Sequence, residues 1–161
     1  MTKNEFYDMA MESYGPAEKL IGMVPADKLD WKPGPTFMSL GQVICHMSEG
    51  MGSGLETLIS GKWPSMEEMD AGMKLENMPS CGVPEALSKL EKDKTILRAT
   101  LEGISEDDFT NRVVSVPWGW KGKFEILSVG FLGHFNNHKM QLFMYLKLLG
   151  LPVNTETLYG G

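Results

Sequence analysis

The chain has 161 residues, an apolar fraction of 42% and a net charge of −6. This length fits one domain, residues 1–161, whose apolar content is enough for a core that folds without a metal or disulfides. The acidic balance, with Lys and Arg spread along the chain, argues against a nucleic-acid partner.

Helical periodicity defines the first predicted elements. Apolar residues at helical spacing predict a helix over residues 3–23, in which Pro16 should produce a kink or a break. A proline-rich connector follows it. The second helix begins at the capping box of Ser39 and Gln42 and ends at Gly61, although glycines weaken its second half.

The third helix begins at Pro84 and carries a buried stripe as far as residue 103. The fourth helix spans residues 123–149 and stops at Gly150 and Pro152. Because no convincing strand accompanies these helices, the predicted fold is all-α, a four-helix bundle.

The connections on either side of the third helix are long. Residues 62–83 form a loop between the second and third helices, either a lid or a surface excursion with a short helical turn near residues 65–70. Residues 105–122 form an irregular segment before the fourth helix, with a brief strand at 113–116. Trp118 and Trp120 end this segment, and they either line a pocket or cap one end of the bundle.

The chain is expected to be cytoplasmic and to have no membrane partner. Its N-terminus lacks an apolar segment, and the most apolar stretch, residues 126–151, is interrupted by polar side chains that would be costly in lipid. Cys45 and Cys81 show neither a disulfide framework nor zinc-site spacing, which is typical of a protein in a reducing compartment.

The histidines are the residues that point to chemistry. His134 and His138 are four apart within the fourth helix, so their side chains share one face. Two imidazoles so placed can bind one metal ion, but an isolated pair of this kind is more often two hydrogen-bonded core histidines.

The third histidine of the chain favours the metal. His46 lies in the middle of the second predicted helix, in a largely apolar stretch. Three buried imidazoles would each need a polar partner, and one shared divalent ion satisfies all three. Three neutral ligands leave at least one coordination position open, as in a catalytic or ligand-binding site.

Other residues near the histidines are weaker candidates. Glu49 follows His46 by three residues and either supports the site as a hydrogen-bond partner or base, or is an ordinary solvated side chain, which is the commoner outcome. Gln141 follows His138 by three residues and either orients a ligand or fills the core. Cys45 points about 100° away from His46 around the helix and is expected to be a small buried side chain. Tyr145 is expected to be structural.

Three segments carry a resemblance to a known family. Residues 29–33 (LDWKP), 39–47 (SLGQVICHM) and 133–141 (GHFNNHKMQ) have an order and spacing similar to those of the DinB/YfiT-like metal-binding superfamily. The resemblance extends over nearly the whole chain. It implies a four-helix bundle in up-down-down-up order with a long crossover, and a homodimer.

The same resemblance implies a three-histidine metal site. One ligand comes from the second helix and two from the fourth, which carries over to His46, His134 and His138 with none missing. Zinc or nickel is the metal that the resemblance implies, in keeping with the preference of imidazole. Relatives include thiol-dependent transferases or isomerases, hydrolases, and many proteins without a known activity.

These observations lead to one leading hypothesis and two rivals. The leading hypothesis is a metal-dependent enzyme that acts on a small molecule, as a transferase with a low-molecular-weight thiol or as a hydrolase. The first rival is a metal-containing binding module without catalysis. The second is a bundle whose histidines are vestigial.

Overall fold

The structure is a computed structural model and describes residues 1–160. These residues fold into a mostly helical structure, which confirms the all-α prediction. The helices are α1 (Lys3–Gly22), α2 (Leu40–Met47), α3 (Gly52–Ser60), α4 (Met66–Gly72), α5 (Val83–Glu102), α6 (Glu106–Asn111), α7 (Phe124–Leu148) and α8 (Thr155–Tyr159). Two short strands, β1 (Val113–Ser115) and β2 (Lys121–Lys123), form an antiparallel hairpin.

The long helices enclose one apolar core. α1 packs against α5 and α7, α2 packs against α7 and α5, and α3 packs against α5 and α7. The largest fully buried side chains come mainly from α1, α2, α3, α6 and α7, and they include Phe6, Tyr14, Leu55, Phe109, Phe124 and Phe135. The contact between α2 and α7 matters for function, because these two helices carry the three histidines.

α1 begins at a capping box and continues through its proline. The side chain of Thr2 accepts a hydrogen bond from the backbone of Glu5, and the Glu5 side chain accepts one from the backbone of Thr2. Pro16 does not break the helix, which runs without interruption to Gly22. Proline removes one backbone hydrogen bond of the helix. The burial of Pro16 and its neighbour Ala17 in the core offsets this loss.

The second predicted helix is two helices, and this corrects the sequence prediction. α2 ends at Met47 and α3 begins at Gly52. The side chain of Asp93 from α5, only 1% exposed, accepts hydrogen bonds from the backbone amides of Met51, Gly52 and Ser53. A buried carboxylate at these first amides satisfies donors that have no partner within a helix, so it favours a new helix start at this point.

The long connection after α3 contains regular structure. The short helical turn expected near residues 65–70 is present as α4, which begins at a capping box formed by Ser65 and Glu68. A single 3-10 turn follows at Leu75–Asn77. The side-chain amide of Gln42 donates hydrogen bonds to the carbonyls of Leu75 and Met78, which ties this connection to the start of α2.

The segment predicted to be irregular, residues 105–122, contains a helix and a hairpin, and the prediction was wrong there. Ser105 caps α6 by accepting a hydrogen bond from the backbone of Asp108. β1 lies within the stretch for which a brief strand was predicted. A further helix, α8, was not predicted at all, although Asn154 and Thr157 form a capping box at its start.

No helix within residues 1–160 has both the length and the apolar character needed to cross a membrane.

Candidate metal centre

The packing of α2 on α7 brings the three histidines together. The capping box of Ser39 and Gln42 fixes where α2 begins, so His46 lies in its last turn. α7 presents His134 and His138 one turn apart towards this position. The nitrogen atoms that the three side chains offer all lie within 4.8 Å of one another.

The rings surround a common point. Nε2 of His46 is 3.1 Å from Nε2 of His134. The ring centroids are 5.3 Å apart for His46 and His134, 4.6 Å for His46 and His138, and 4.5 Å for His134 and His138. Each pair is nearly perpendicular, with interplanar angles of 79–86°. This arrangement directs nitrogens inward without stacking the rings.

The site favours neutral imidazoles. Burial, together with the proximity of His138 and His134, lowers the pKa of His46 from 6.5 to about 4. Burial and the proximity of His138 also lower the pKa of His134. The neutral form is the one that offers a nitrogen lone pair, so near pH 7 the nitrogens of His46 and His134 are available to a metal without the loss of a proton.

A chain of hydrogen bonds fixes the orientation of His138. Its Nδ1 lies 2.8 Å from Oε1 of Gln141, and the Gln141 amide nitrogen donates to the hydroxyl of Tyr145 over 3.0 Å. This pattern assigns the proton of His138 to Nδ1 and leaves Nε2 free. The ring of Tyr145 packs edge-on against Trp31 at 5.6 Å. Tyr145 was expected only to be structural, although its spacing of four residues from Gln141 could have indicated this contact.

The donor set fits a divalent transition metal. Two nitrogens that bind one zinc ion tetrahedrally at about 2.0–2.1 Å are about 3.3–3.4 Å apart, close to the 3.1 Å between His46 and His134. The hydrogen bond from His138 to Gln141 is the outer contact that metal-binding histidines usually make. His134 is exposed, so the cluster can be reached from solvent.

Cys45 of α2 and Glu49, which follows the end of α2 by two residues, both contact Lys89 of α5. Glu49 is paired with Lys89 at 3.2 Å, and Lys89 also donates to the Cys45 sulfur at 3.6 Å. Cys45 is buried, as expected for a small apolar side chain. Glu49 forms an ion pair with Lys89, and its supporting role beside His46 stays a prediction.

Trp118 and Trp120 lie on the hairpin that precedes α7. The ring of Trp118 packs edge-on against Trp63 at 5.3 Å, while Trp120 is 66% exposed. The hairpin joins α7 at Phe124, and the ten residues from there to His134 span ~15 Å of helix. Their role as the wall of a metal pocket stays a prediction.

Solved structures of other proteins have a similar fold. No protein-family model and no curated protein matches the sequence. A crystal structure of a DinB-like protein from Bacillus cereus aligns with 95% of this chain and 96% of its own, at a TM-score of 0.75 and 16% sequence identity. This chain has the DinB-like fold.

A second solved structure also has a similar fold. A DinB-like protein from Bacillus subtilis aligns with 92% of this chain and 96% of its own, at a TM-score of 0.67 and 17% identity. At this level of identity the likeness establishes the fold, and the DinB-like fold extends over nearly the whole chain, as the sequence resemblance implied.

Proposed function

We propose that this DinB-like protein binds one divalent transition metal, zinc or nickel, through His46, His134 and His138, and uses it to act on a small molecule. The observation that carries the proposal is the cluster of three imidazoles within 4.8 Å of one another, in a protein that has no other histidine. The DinB-like fold supports it, because the sequence resemblance implied this ligand set for that fold.

The residues of the chain have separate tasks in this proposal. His46, His134 and His138 hold the ion, and Gln141 keeps the proton of His138 on Nδ1. The exposed edge of the cluster at His134 gives a small molecule access. When bound, the metal would supply Lewis acidity and lower the pKa of a water or thiol, which serves a thiol transferase and a hydrolase equally.

Turnover by purified protein without a histidine tag tests the enzymatic part. Protein loaded with zinc or nickel is incubated with a low-molecular-weight thiol plus an electrophile, and separately with a panel of esters. We expect turnover in one of the two classes and at least a 100-fold loss in His134→Ala. Metal binding without turnover in either class would overturn the enzymatic proposal and leave the metal site standing.

The alternative is a metal-containing binding module without catalysis. One observation favours it: Glu49, the carboxylate nearest in sequence to the cluster, is held by Lys89 and is 52% exposed. A module of this kind needs no acid or base beside the ion. Thermal stabilisation by a small ligand, with no product formed, is its expected signature.

We further propose the up-down-down-up bundle order and a cytoplasmic location. α1, the pair α2 and α3, α5 and α7 are the four long segments, and the long connection between α3 and α5 is the crossover that this order needs. Cys45 and Cys81 are both free and buried, which suits a reducing compartment.

A further inference from the structure

Lys139 occupies a core position of α7. Buried residues of this helix recur at alternating spacings of three and four, as expected for a stripe that faces the core. They are Leu132, Phe135, Lys139, Leu142 and Leu146. Lys139 is only 7% exposed, close to the 5% of Leu132. Lysine is almost never buried to this extent unless it is paired, so its presence in this stripe needs an explanation.

The ammonium group of Lys139 has neither an ion pair nor a hydrogen bond within residues 1–160. The partly buried lysines of α5 differ in this respect. Lys94 is paired with Glu18 and Glu91, and Lys89 is paired with Glu49 and Glu85. A charge withdrawn from water is unfavourable without a partner of opposite sign, and a bound anion would supply that partner to Lys139.

Lys139 lines a groove between α1, α7 and α8 with a volume of about 410 Å³. The apolar part of its wall comes from Met9 of α1, Leu132 and Met140 of α7, and Leu158 of α8. Met9 and Met140 are 42% and 41% exposed, so a ligand in the groove would cover apolar surface. Methionine is flexible and adapts to the shape of its neighbour, which suits a chain of carbon atoms.

The other charged group of the groove limits the charge of the anion. Glu12 lines the groove and is exposed, and the whole chain has a net charge of −6. A phosphate with two negative charges would be repelled more strongly here than a carboxylate with one. Asn136, three residues before Lys139, adds an amide to the groove that can donate a hydrogen bond to a carboxylate oxygen.

We propose that this groove binds a monocarboxylate with an unbranched apolar chain, such as a medium-chain fatty acid. The carboxylate pairs with Lys139, and the carbon chain lies against Met9 and Met140. The groove is distinct from the histidine cluster, because the side chain of Lys139 points about 100° away from that of His138 around α7. Binding in the groove is therefore a property beyond the proposed metal chemistry, and it does not require the ion.

The first test compares head groups on one chain length. Isothermal titration of the full chain with octanoate should show saturable binding at one site per chain. Octanol has the same carbon chain without a charge and should bind about 10-fold more weakly or worse, because it cannot form the ion pair. Octyl phosphate should also bind more weakly than octanoate. Octanoate that does not saturate, or that binds no better than either of the other two compounds, would overturn the proposal.

The second test removes the ammonium group. Lys139→Met keeps an unbranched side chain at a core position, so the helical circular dichroism and melting temperature should not fall. Its affinity for octanoate should decrease about 10-fold or more. Lys92→Met is the matched control, because it removes the same charge from an exposed position of α5, and it should bind octanoate as the wild type does. A folded Lys139→Met variant with wild-type affinity would contradict the assignment.

The third test separates the groove from the metal centre. Carboxylates also bind transition metals, so octanoate is titrated into His134→Ala as well. This variant should bind octanoate with wild-type affinity, whether or not the wild type contains metal. Loss of octanoate binding in His134→Ala would place the carboxylate at the histidine cluster and overturn the groove site. A wild type that binds octanoate but contains no metal would count against the metal centre alone.

Discussion

At the scale of single residues, the site depends on contacts outside the three histidines. His138 is oriented by Gln141, whose amide is in turn oriented by the hydroxyl of Tyr145. The first hydrogen bond fixes the tautomer of His138, and the second fixes the rotamer of the Gln141 amide. The ring of His138 is therefore already in the tautomer and orientation that bind a metal ion. The affinity for the metal should consequently depend on residues that do not contact it.

Removal of the Gln141 amide tests this dependence. Gln141→Leu keeps the volume but frees Nδ1 of His138, so metal affinity should fall 10- to 100-fold in a chelator competition titration. Tyr145→Phe keeps the ring against Trp31 and removes only the hydroxyl, and a smaller loss is expected. Affinity equal to wild type in Gln141→Leu, with normal circular dichroism, would contradict the orienting role.

The depressed pKa of His46 predicts a pH dependence for the metal-free protein. In the unfolded chain His46 takes up a proton near its ordinary pKa of 6.5, but in the folded protein only near 4. Between these values the unfolded state binds more protons, so the free energy of unfolding should decrease as pH falls from 7 towards 4.5.

Urea unfolding at several pH values measures this dependence. Because carboxylates also titrate in the lower part of the range, the informative quantity is the difference from His46→Gln. In that variant the free energy of unfolding should decrease less steeply between pH 6.5 and 5. Equal slopes in the two proteins would mean that His46 titrates in the folded state as it does in the unfolded chain.

At the scale of elements, the break between α2 and α3 is the feature with the clearest cause. The carboxylate of Asp93 is buried against the first amides of α3 and also accepts a hydrogen bond from the hydroxyl of Tyr14 over 2.6 Å. Gly52 lets the backbones approach, because a Cβ there would lie 2.0 Å from the carbonyl oxygen of Asp93 and 2.8 Å from the amide nitrogen of Leu97.

Gly52→Ala should therefore be strongly destabilising. The methyl group meets backbone atoms of α5 that cannot rotate away, so a loss of roughly 3 kcal/mol in the free energy of unfolding is expected. Gly22→Ala, at the end of α1 with nothing within 4 Å, is the matched control and should be neutral or slightly stabilising. Urea unfolding compares the two, and similar effects would show that α3 does not need the close approach.

The sequence was informative where a local rule decides the structure. The capping box at Ser39 and the spacing of His134 and His138 both depend on residues within one helix turn. The end of α2 depends instead on Asp93, more than 40 residues away, which no local pattern could supply. Ser105 and Asn154 did carry cap signals for the short helices α6 and α8, but few apolar residues accompany them.

At the scale of the whole molecule, the core and the metal centre are separate. The buried side chains come from seven of the eight helices within residues 1–160, all except α4, whereas the histidine cluster lies at the contact of α2 and α7 and is partly exposed. The core should therefore hold the fold without an ion.

Chelation tests this separation. Removal of the metal should leave the helical circular dichroism unchanged and lower only the melting temperature, by the amount that ligand linkage dictates. His134→Ala should show the same spectrum with or without metal and should not respond to chelator. Loss of helical signal on chelation would make the ion a structural requirement of the fold.

The most direct test of the three-histidine centre is the metal content of protein purified without a histidine tag and without added chelator. Elemental analysis should find close to one zinc or nickel per chain in the wild type, and less than about a tenth of that in His46→Ala and His134→Ala, while Asn136→Ala retains the full amount. An absence of stoichiometric metal in the wild type, or metal retained in both histidine variants, would contradict the proposed centre.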